Sequence, residues 1–343
     1  MTHISTGAAV LGGRFLMGRE VRGGAGRTVW EGAEAAGGAP VRIERAPERA
    51  VTPATIMRLE HARAALPDGV PGLVAPVRAV GREGGGIHLV TAMPPGTPLD
   101  ALEGPLPLLD ALAVATDVLT ALAELHARGI LHRDLEGAAV TLRDEGGRTR
   151  ATITAAGLAA DVALIASVAD LPAAEVAHLA PEASGLIAGG VDERSDLWSA
   201  GVLIHRCLTG RPPREAATAA ELLRETLAGP VPGLRRLVPD APRVLEEAVG
   251  RLLERDPRDR YQSARAAAAD LAAIAAAVAA GDDHAPRARA RRAAGRRPRA
   301  GGPRPGGGPR GRRHPPGHRD AARDAPRRAR GPAAAARRPR RGD

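Results

Sequence analysis

The sequence predicts an α+β chain with a small β-rich part followed by a larger helical part, and three observations carry that expectation. Between residues 11 and 93, short β-forming runs alternate with glycine-rich turns. From residue 97 onward, apolar residues recur at three- and four-residue steps. Segment 196–208, DLWSAGVLIHRCL, is apolar on nearly all sides, the pattern of a helix buried in the centre of a lobe.

In order, the β-like runs are GRFLMGREV, RTVWEGAEA, APVRIERA, LVAPVRAVG and GIHLVTAM, the last two separated by the loop REGGG. Together they predict a small antiparallel sheet. One helix interrupts it over 53–66, with Pro53 in its first turn and Ile56, Leu59 and Ala62 on one face. In 107–128, Leu108, Leu112, Ala115, Leu119 and Leu122 form a single apolar stripe, and further helices are expected at 218–228, 242–254 and 263–279. After Gly281 the pattern ends. The expected organisation is an N-terminal extension over 1–10, a folded region over 11–280 (β-rich 11–93, helical 97–275), and a tail over 281–343. Arginine, proline, glycine and alanine without periodicity cannot bury enough apolar area to offset chain entropy, so the tail is expected to be disordered.

The chain of 343 residues contains no lysine and no asparagine, and its aromatic residues are Phe15, Trp30, Trp198 and Tyr261. A GC-rich coding sequence accounts for that bias but does not replace missing chemistry. The net charge of +10 joins two regions of opposite sign. Residues 281–343 hold 20 arginines against 5 aspartates, a net +15; residues 1–280 hold 29 arginines against 34 acidic groups, a net −5. Cys207 is the only cysteine, which excludes an internal disulfide framework and a multi-cysteine zinc site. The N-terminus lacks a basic segment followed by a long apolar run, and the alanine-dominated stretch 266–280 is interrupted by Asp270. A cytoplasmic protein with no membrane span is the expectation.

Three stretches then carry a family resemblance: HLAPEASG (178–185), DERSDLWSAGVLIHRCLTGRPP (192–213) and LLERDPRDRYQSA (252–264). In this order and spacing they resemble landmarks of a bacterial Ser/Thr protein kinase domain of the two-lobed type, and the resemblance covers residues 11 to about 275. It implies a protein-kinase-like α+β fold, with Glu182 and Arg260 as a buried ion pair and Asp196 as the anchor of the catalytic-loop backbone.

The same resemblance implies an ATP site, which must hold several negative charges with a lysine and Mg²⁺ while an aspartate orients the attacking hydroxyl. The phosphate-covering loop resembles VRGGAGRTVW (21–30), with Gly23, Gly24, Gly26 and Val29 as nucleotide contacts; a plain hairpin turn fits those glycines equally well. In the strand that carries the family's lysine the residues are Val41, Arg42, Ile43 and Glu44. Period-two geometry places Arg42 and Glu44 on the cleft face, where Arg42 is expected to fill the adenine side and pair with Glu44. The helix glutamate that would partner the lysine corresponds to Glu60, which must now face a like charge or turn away. In LHRDLEGAAV (131–140), His132, Arg133 and Asp134 persist. Glu136 stands for lysine, Gly137 for proline and Ala139 for the metal-binding asparagine. Asp134 reads either as the proton-accepting base or as a leftover carboxylate, and these neighbours favour the second reading. Ala155 and Ala156 occupy the aspartate and phenylalanine positions of the metal-binding motif, with Asp161 a remote substitute ligand. No metal site is expected. The activation segment offers one hydroxyl residue, Ser167, and Glu175 stands where a substrate-positioning threonine is kept. His205 and Cys207 read as core residues.

The function these residues imply is that of a pseudokinase acting as a scaffold or binding module for an unknown protein partner, with no cofactor. The alternatives are an active atypical Ser/Thr kinase using ATP and Mg²⁺, and a truncated or frameshifted N-terminal part of a larger kinase-like regulator. The tail is open to two readings as well: nonspecific contacts with nucleic acid or another anionic surface, or out-of-frame translation of GC-rich DNA.

Overall fold

A computed structural model describes residues 9–23, 27–158, 173–185, 187, 189–229 and 231–281. The tail from 282 onward, Gly24, Gly26, Asp161 and Ser167 lie outside the described residues.

The N-terminal lobe is a six-stranded antiparallel sheet in the order β1-β2-β3-β4-β7-β6. Its strands are β1 (Val10–Leu11), β2 (Phe15–Gly23), β3 (Thr28–Glu34), β4 (Pro40–Pro47), β6 (Val77–Glu83) and β7 (Gly86–Ala92). The hairpin joining β6 to β7 turns at Gly84 and Gly85, whose φ of 58° and 71° only glycine adopts without strain. Between β4 and the last two strands runs α1 (Pro53–Ala65). Its start is set locally: Pro53 opens the first turn, as the sequence predicts, and the Thr52 side chain accepts the Thr55 N–H (3.2 Å).

The C-terminal lobe is built on α2 (Leu108–His126), α4 (Glu193–Thr209), α6 (Arg243–Leu252) and α7 (Ala264–Ala279), with α5 (Ala219–Ala228) and the single turn α3 (Ala173–Val176) at its edge. Leu112, Ala115, Leu119 and Leu122 of α2 are all buried, as the stripe predicts. Central α4 is capped by Asp192 and stops at Gly210, which adopts a left-handed φ of 79°. It approaches the end of α6 so closely that a Cβ on Gly201 would lie 2.9 Å from the Leu252 side chain.

The helical reading from 97 onward missed a second, four-stranded sheet in the order β5-β10-β9-β8. Here β8 (Thr97–Pro98), β9 (Val140–Asp144) and β10 (Thr149–Thr154) follow the hinge, the segment around 92–96 that leads out of β7, and β5 (Val74–Ala75) joins β10 in parallel from the N-terminal side. The hairpin VTLRDEGGRTRATIT is short and rich in arginine and threonine, so hydrophobic periodicity gave it no signal. It matters because it spaces residues 131–139 and 155–158 on its two sides, and these form the floor of the cleft. Among the described residues no helix is long and apolar enough to cross a membrane.

Candidate functional site

Alternation along β4 sends Val41 and Ile43 to one face of the sheet, into a cluster with Phe15, Met17 and Val90, and Arg42 and Glu44 to the other. Burying two charged groups there is tolerable only if both are satisfied. Arg42 Nε donates to Glu44 Oε1 (3.0 Å) and its Nη1 to the Ala138 carbonyl (2.7 Å), and the Leu158 N–H donates to Glu44 Oε2 (3.1 Å). Arg42 thus pairs with Glu44, but it reaches on to the floor at Ala138 instead of filling the adenine side, where a cavity stays open because the guanidinium is drawn to these acceptors.

A residue absent from the sequence reading completes the site. Arg27, directly before β3 at the turn end of the β2–β3 pair, reaches down into the cleft. Its Nη1 contacts Glu44 Oε2 (3.3 Å), the Leu158 carbonyl (3.3 Å) and Asp134 Oδ2, and its Nη2 contacts Glu136 Oε1 (3.0 Å). Arg22 closes on the other oxygen of Glu136. Three guanidinium groups thus face three carboxylates and cancel them. Burial alone would raise the pKa of Glu44 and Glu136, yet the adjoining arginines outweigh it and hold both below the usual carboxylate range. For Asp134 the balance goes the other way: burial, helped by the charges of Glu136 and Glu44, pushes it up to about 6 against the pull of Arg27.

A raised acid pKa has a defined sign in stability. Between about pH 4 and 6 the folded chain binds a proton at Asp134 that the unfolded chain has released, so this residue's contribution falls as pH rises through that window. Wild type is therefore expected to lose about 2–3 kcal/mol relative to Asp134→Asn between pH 4 and 7.5, read from urea unfolding of both proteins. A pH-independent difference would contradict the burial argument.

The loop that carries Asp134 is held by the buried carboxylate of Asp196, which accepts the N–H groups of His132 (2.9 Å) and Arg133 (2.8 Å) and the Nε2 proton of His126 (2.9 Å). These bonds fix Arg133 at φ 63°, the one positive φ at a non-glycine position among the described residues. His132 is fully buried. Its Nδ1 accepts the Asp134 N–H (3.3 Å), so Nε2 carries the proton toward Thr154 Oγ1 (3.2 Å). Burial drives its pKa down to about 4, and the ring is neutral.

The Mg²⁺ that the fold implies finds no fitting donor set. Ala139 and Ala155 are buried and carry no ligand atom, and Ala155 and Ala156 belong to the hydrophobic core. The nearby carboxylates of Glu44, Asp134 and Glu136 are all bonded to arginine, whereas Mg²⁺ requires octahedral oxygen ligation. Among the described residues no group of three or more His, Cys, Asp or Glu is placed to hold a metal ion.

Of the other expected residues, Glu60 takes the second of its two courses: it turns away, is 40% exposed at its side chain and pairs with Arg63 (2.7 Å). It therefore has no structural role in the cleft. Repulsion from Glu44 offers it nothing there, and Arg58 of the same helix reaches the Gly157 carbonyl instead (3.2 Å). Gly23 ends β2, and Val29 is buried in the cleft roof. Glu182 and Arg260 meet in a two-point ion pair, with distances of 2.7 and 2.8 Å. His205 Nδ1 donates to the Arg211 carbonyl nearby (3.0 Å), and burial pushes the Cys207 thiol up to about 12; both sit in the core.

A two-lobed molecule with this loop, hairpin and buried pair has the architecture of one large class of signalling proteins. The protein-kinase domain model matches residues 79–271, and the chain belongs to the protein kinase family. It is 31% identical over 278 residues to serine/threonine-protein kinase PknL of Mycobacterium tuberculosis, covering 79% of this chain and 68% of that protein. It is 31% identical over 275 residues to serine/threonine-protein kinase PkaA of Streptomyces coelicolor, covering 73% and 48%. With serine/threonine-protein kinase PknH of Mycobacterium bovis the identity is 30% over 194 residues, covering 56% of this chain and 32% of the relative.

Proposed function

We propose that this kinase-family chain is a pseudokinase that binds protein partners through a kinase-shaped surface and does not transfer phosphate. The observation that carries the reading is Arg27, whose guanidinium occupies the space between Glu44, Asp134 and Glu136 where a triphosphate and its metal ions would have to sit. A nucleotide entering there must break these ion pairs, and it then meets Glu44 where its phosphates need a cation. Two like charges ~4 Å apart repel by about 4 kcal/mol at an effective dielectric of 20. The groups that stabilise the fold, Asp196, Glu182 and Arg260, are all engaged, which fits a protein whose shape is used without its chemistry.

A second reading, an active atypical Ser/Thr kinase, draws on the relatives' names and on Asp134 in its loop. One experiment separates the two. Mg²⁺-ATP at 100 times its dissociation constant stabilises a binder by ~2.7 kcal/mol, so the melting temperature is measured with and without it, alongside transfer of the γ-phosphate to a generic protein substrate. The expected result is no shift and no transfer. A shift accompanied by transfer that disappears in Asp134→Ala overturns the proposal.

A further inference from the structure

Between the lobes, on the hinge side of Arg42, lies a cavity of about 400 Å³, within the ~300–1,000 Å³ range of small-molecule sites. Val29 and Ala138 form its roof and floor, and Ala92, Met93 and Pro94 its back wall. That wall has no backbone donor to offer. The Ala92 N–H is spent on the Pro76 carbonyl and the Met93 N–H on the Pro40 carbonyl, both at 3.0 Å. Pro94 and its neighbour Pro95 have no N–H. Carbonyl oxygens are what remains of the hinge backbone for an occupant to meet.

The charges around the cavity are equally decisive. Arg19, Arg22, Glu31, Arg42 and Asp100 line it, and each is already in an ion pair: Arg19 with Glu31, Arg22 with Glu136, Arg42 with Glu44, and Asp100 with Arg206. A charged ligand would gain little and would have to compete with these pairs. A flat ring suits the apolar side chains of Val29 and Ala138 that line the cavity and can stack on a guanidinium plane.

We infer that this cavity binds an uncharged, flat molecule that presents a hydrogen-bond donor edge to the hinge, and that it rejects adenine-type edges, which need a donor from the protein beside an acceptor. The inference rests on the preceding reading only in treating the phosphate side as closed by Arg27.

The test uses ligand-observed NMR on the full-length protein with indole, benzofuran, adenosine and Mg²⁺-ATP as probes. Indole is expected to bind. Benzofuran, in which oxygen replaces the N–H, is expected to bind about tenfold more weakly, the loss of one net hydrogen bond. Adenosine is expected not to bind wild type but to bind Pro94→Ala, in which a hinge N–H is restored, while indole affinity stays within a factor of two. In Ala138→Phe, which fills the cavity, the indole signal is expected to vanish. Adenosine binding wild type as tightly as indole overturns the donor-edge inference, and so does an indole signal that is absent from wild type or survives in Ala138→Phe. Mg²⁺-ATP binding more tightly than adenosine and transferring phosphate instead overturns the pseudokinase reading, so the two failures are distinguishable.

Discussion

Glu182→Gln is expected to lower folding stability by ~3–5 kcal/mol, read as a fall in the urea midpoint at unchanged slope. Arg260 is wholly buried at its side chain, and among the described residues Glu182 is its one counter-ion; further bonds of its guanidinium go to the carbonyls of Arg194, Glu254 and Arg255. Glutamine keeps the shape and removes the charge, leaving a guanidinium in an apolar setting with neutral acceptors alone. In Glu182→Gln with Arg260→Met, neither charge is left behind and part of the loss is expected to return. The pH dependence has a definite sign. Burial tends to raise the Glu182 pKa, but the hydrogen bonds and charge of Arg260 prevail and hold it below its ordinary range. The pair's stabilisation is therefore present above the unfolded-state pKa near 4.3 and lost as pH falls through the folded value. A loss under 1 kcal/mol in the single variant would show that the pair is not the tie between the activation-segment end and the helical base that its burial indicates.

What was legible in the sequence divides by the range of the interaction. The strands of the six-stranded sheet and the helices of the second lobe follow from period-two and period-3.6 patterns, which are local signals, whereas the four-stranded sheet carries neither. The pairing of Arg42 with Glu44 was legible for the same reason, since two residues apart on a strand share a face. Arg27 was not, because its partner Asp134 lies 107 positions away, and only the tertiary fold brings the start of β3 to the loop that carries Asp134. One signal could have pointed to it. Buried carboxylates at cleft positions in a chain without lysine call for arginine, and Arg22 and Arg27 are the cations that flank the glycine cluster. Glu60 turns away for a rotational reason: the buried face of α1 is set by Thr55, Leu59 and Ala62, and one residue beyond Leu59 turns the side chain about 100° away. Met57, 73% exposed on the same helix, shows how weakly its apolar pattern fixed that phase.

Arg27→Met is expected to loosen the cleft without making it a kinase. Glu44 keeps Arg42 and Glu136 keeps Arg22, so the residue left alone is Asp134, whose side chain is 18% exposed. A carboxylate deprived of its cation in such a place costs ~3 kcal/mol or more when ionised, but it can avoid that cost by taking up a proton. The destabilisation is therefore expected to be largest at pH 8 and to shrink toward pH 5, because the folded pKa of Asp134 rises further from about 6 once Arg27 is gone. Arg27→Lys should fall between wild type and Arg27→Met, since a single ammonium cannot serve both Nη1, shared by Glu44, Asp134 and the Leu158 carbonyl, and Nη2, held by Glu136. Urea unfolding at three pH values checks this order. Removing Arg27 also separates obstruction from missing chemistry. If the guanidinium were merely a plug, Arg27→Met would gain a thermal shift with Mg²⁺-ATP. The expected result is that it does not, because Glu44 still repels the phosphates and Ala139 and Ala155 still give the metal nothing to bind. A shift in Arg27→Met but not in wild type would make Arg27 a removable block in a cleft that can otherwise hold the nucleotide.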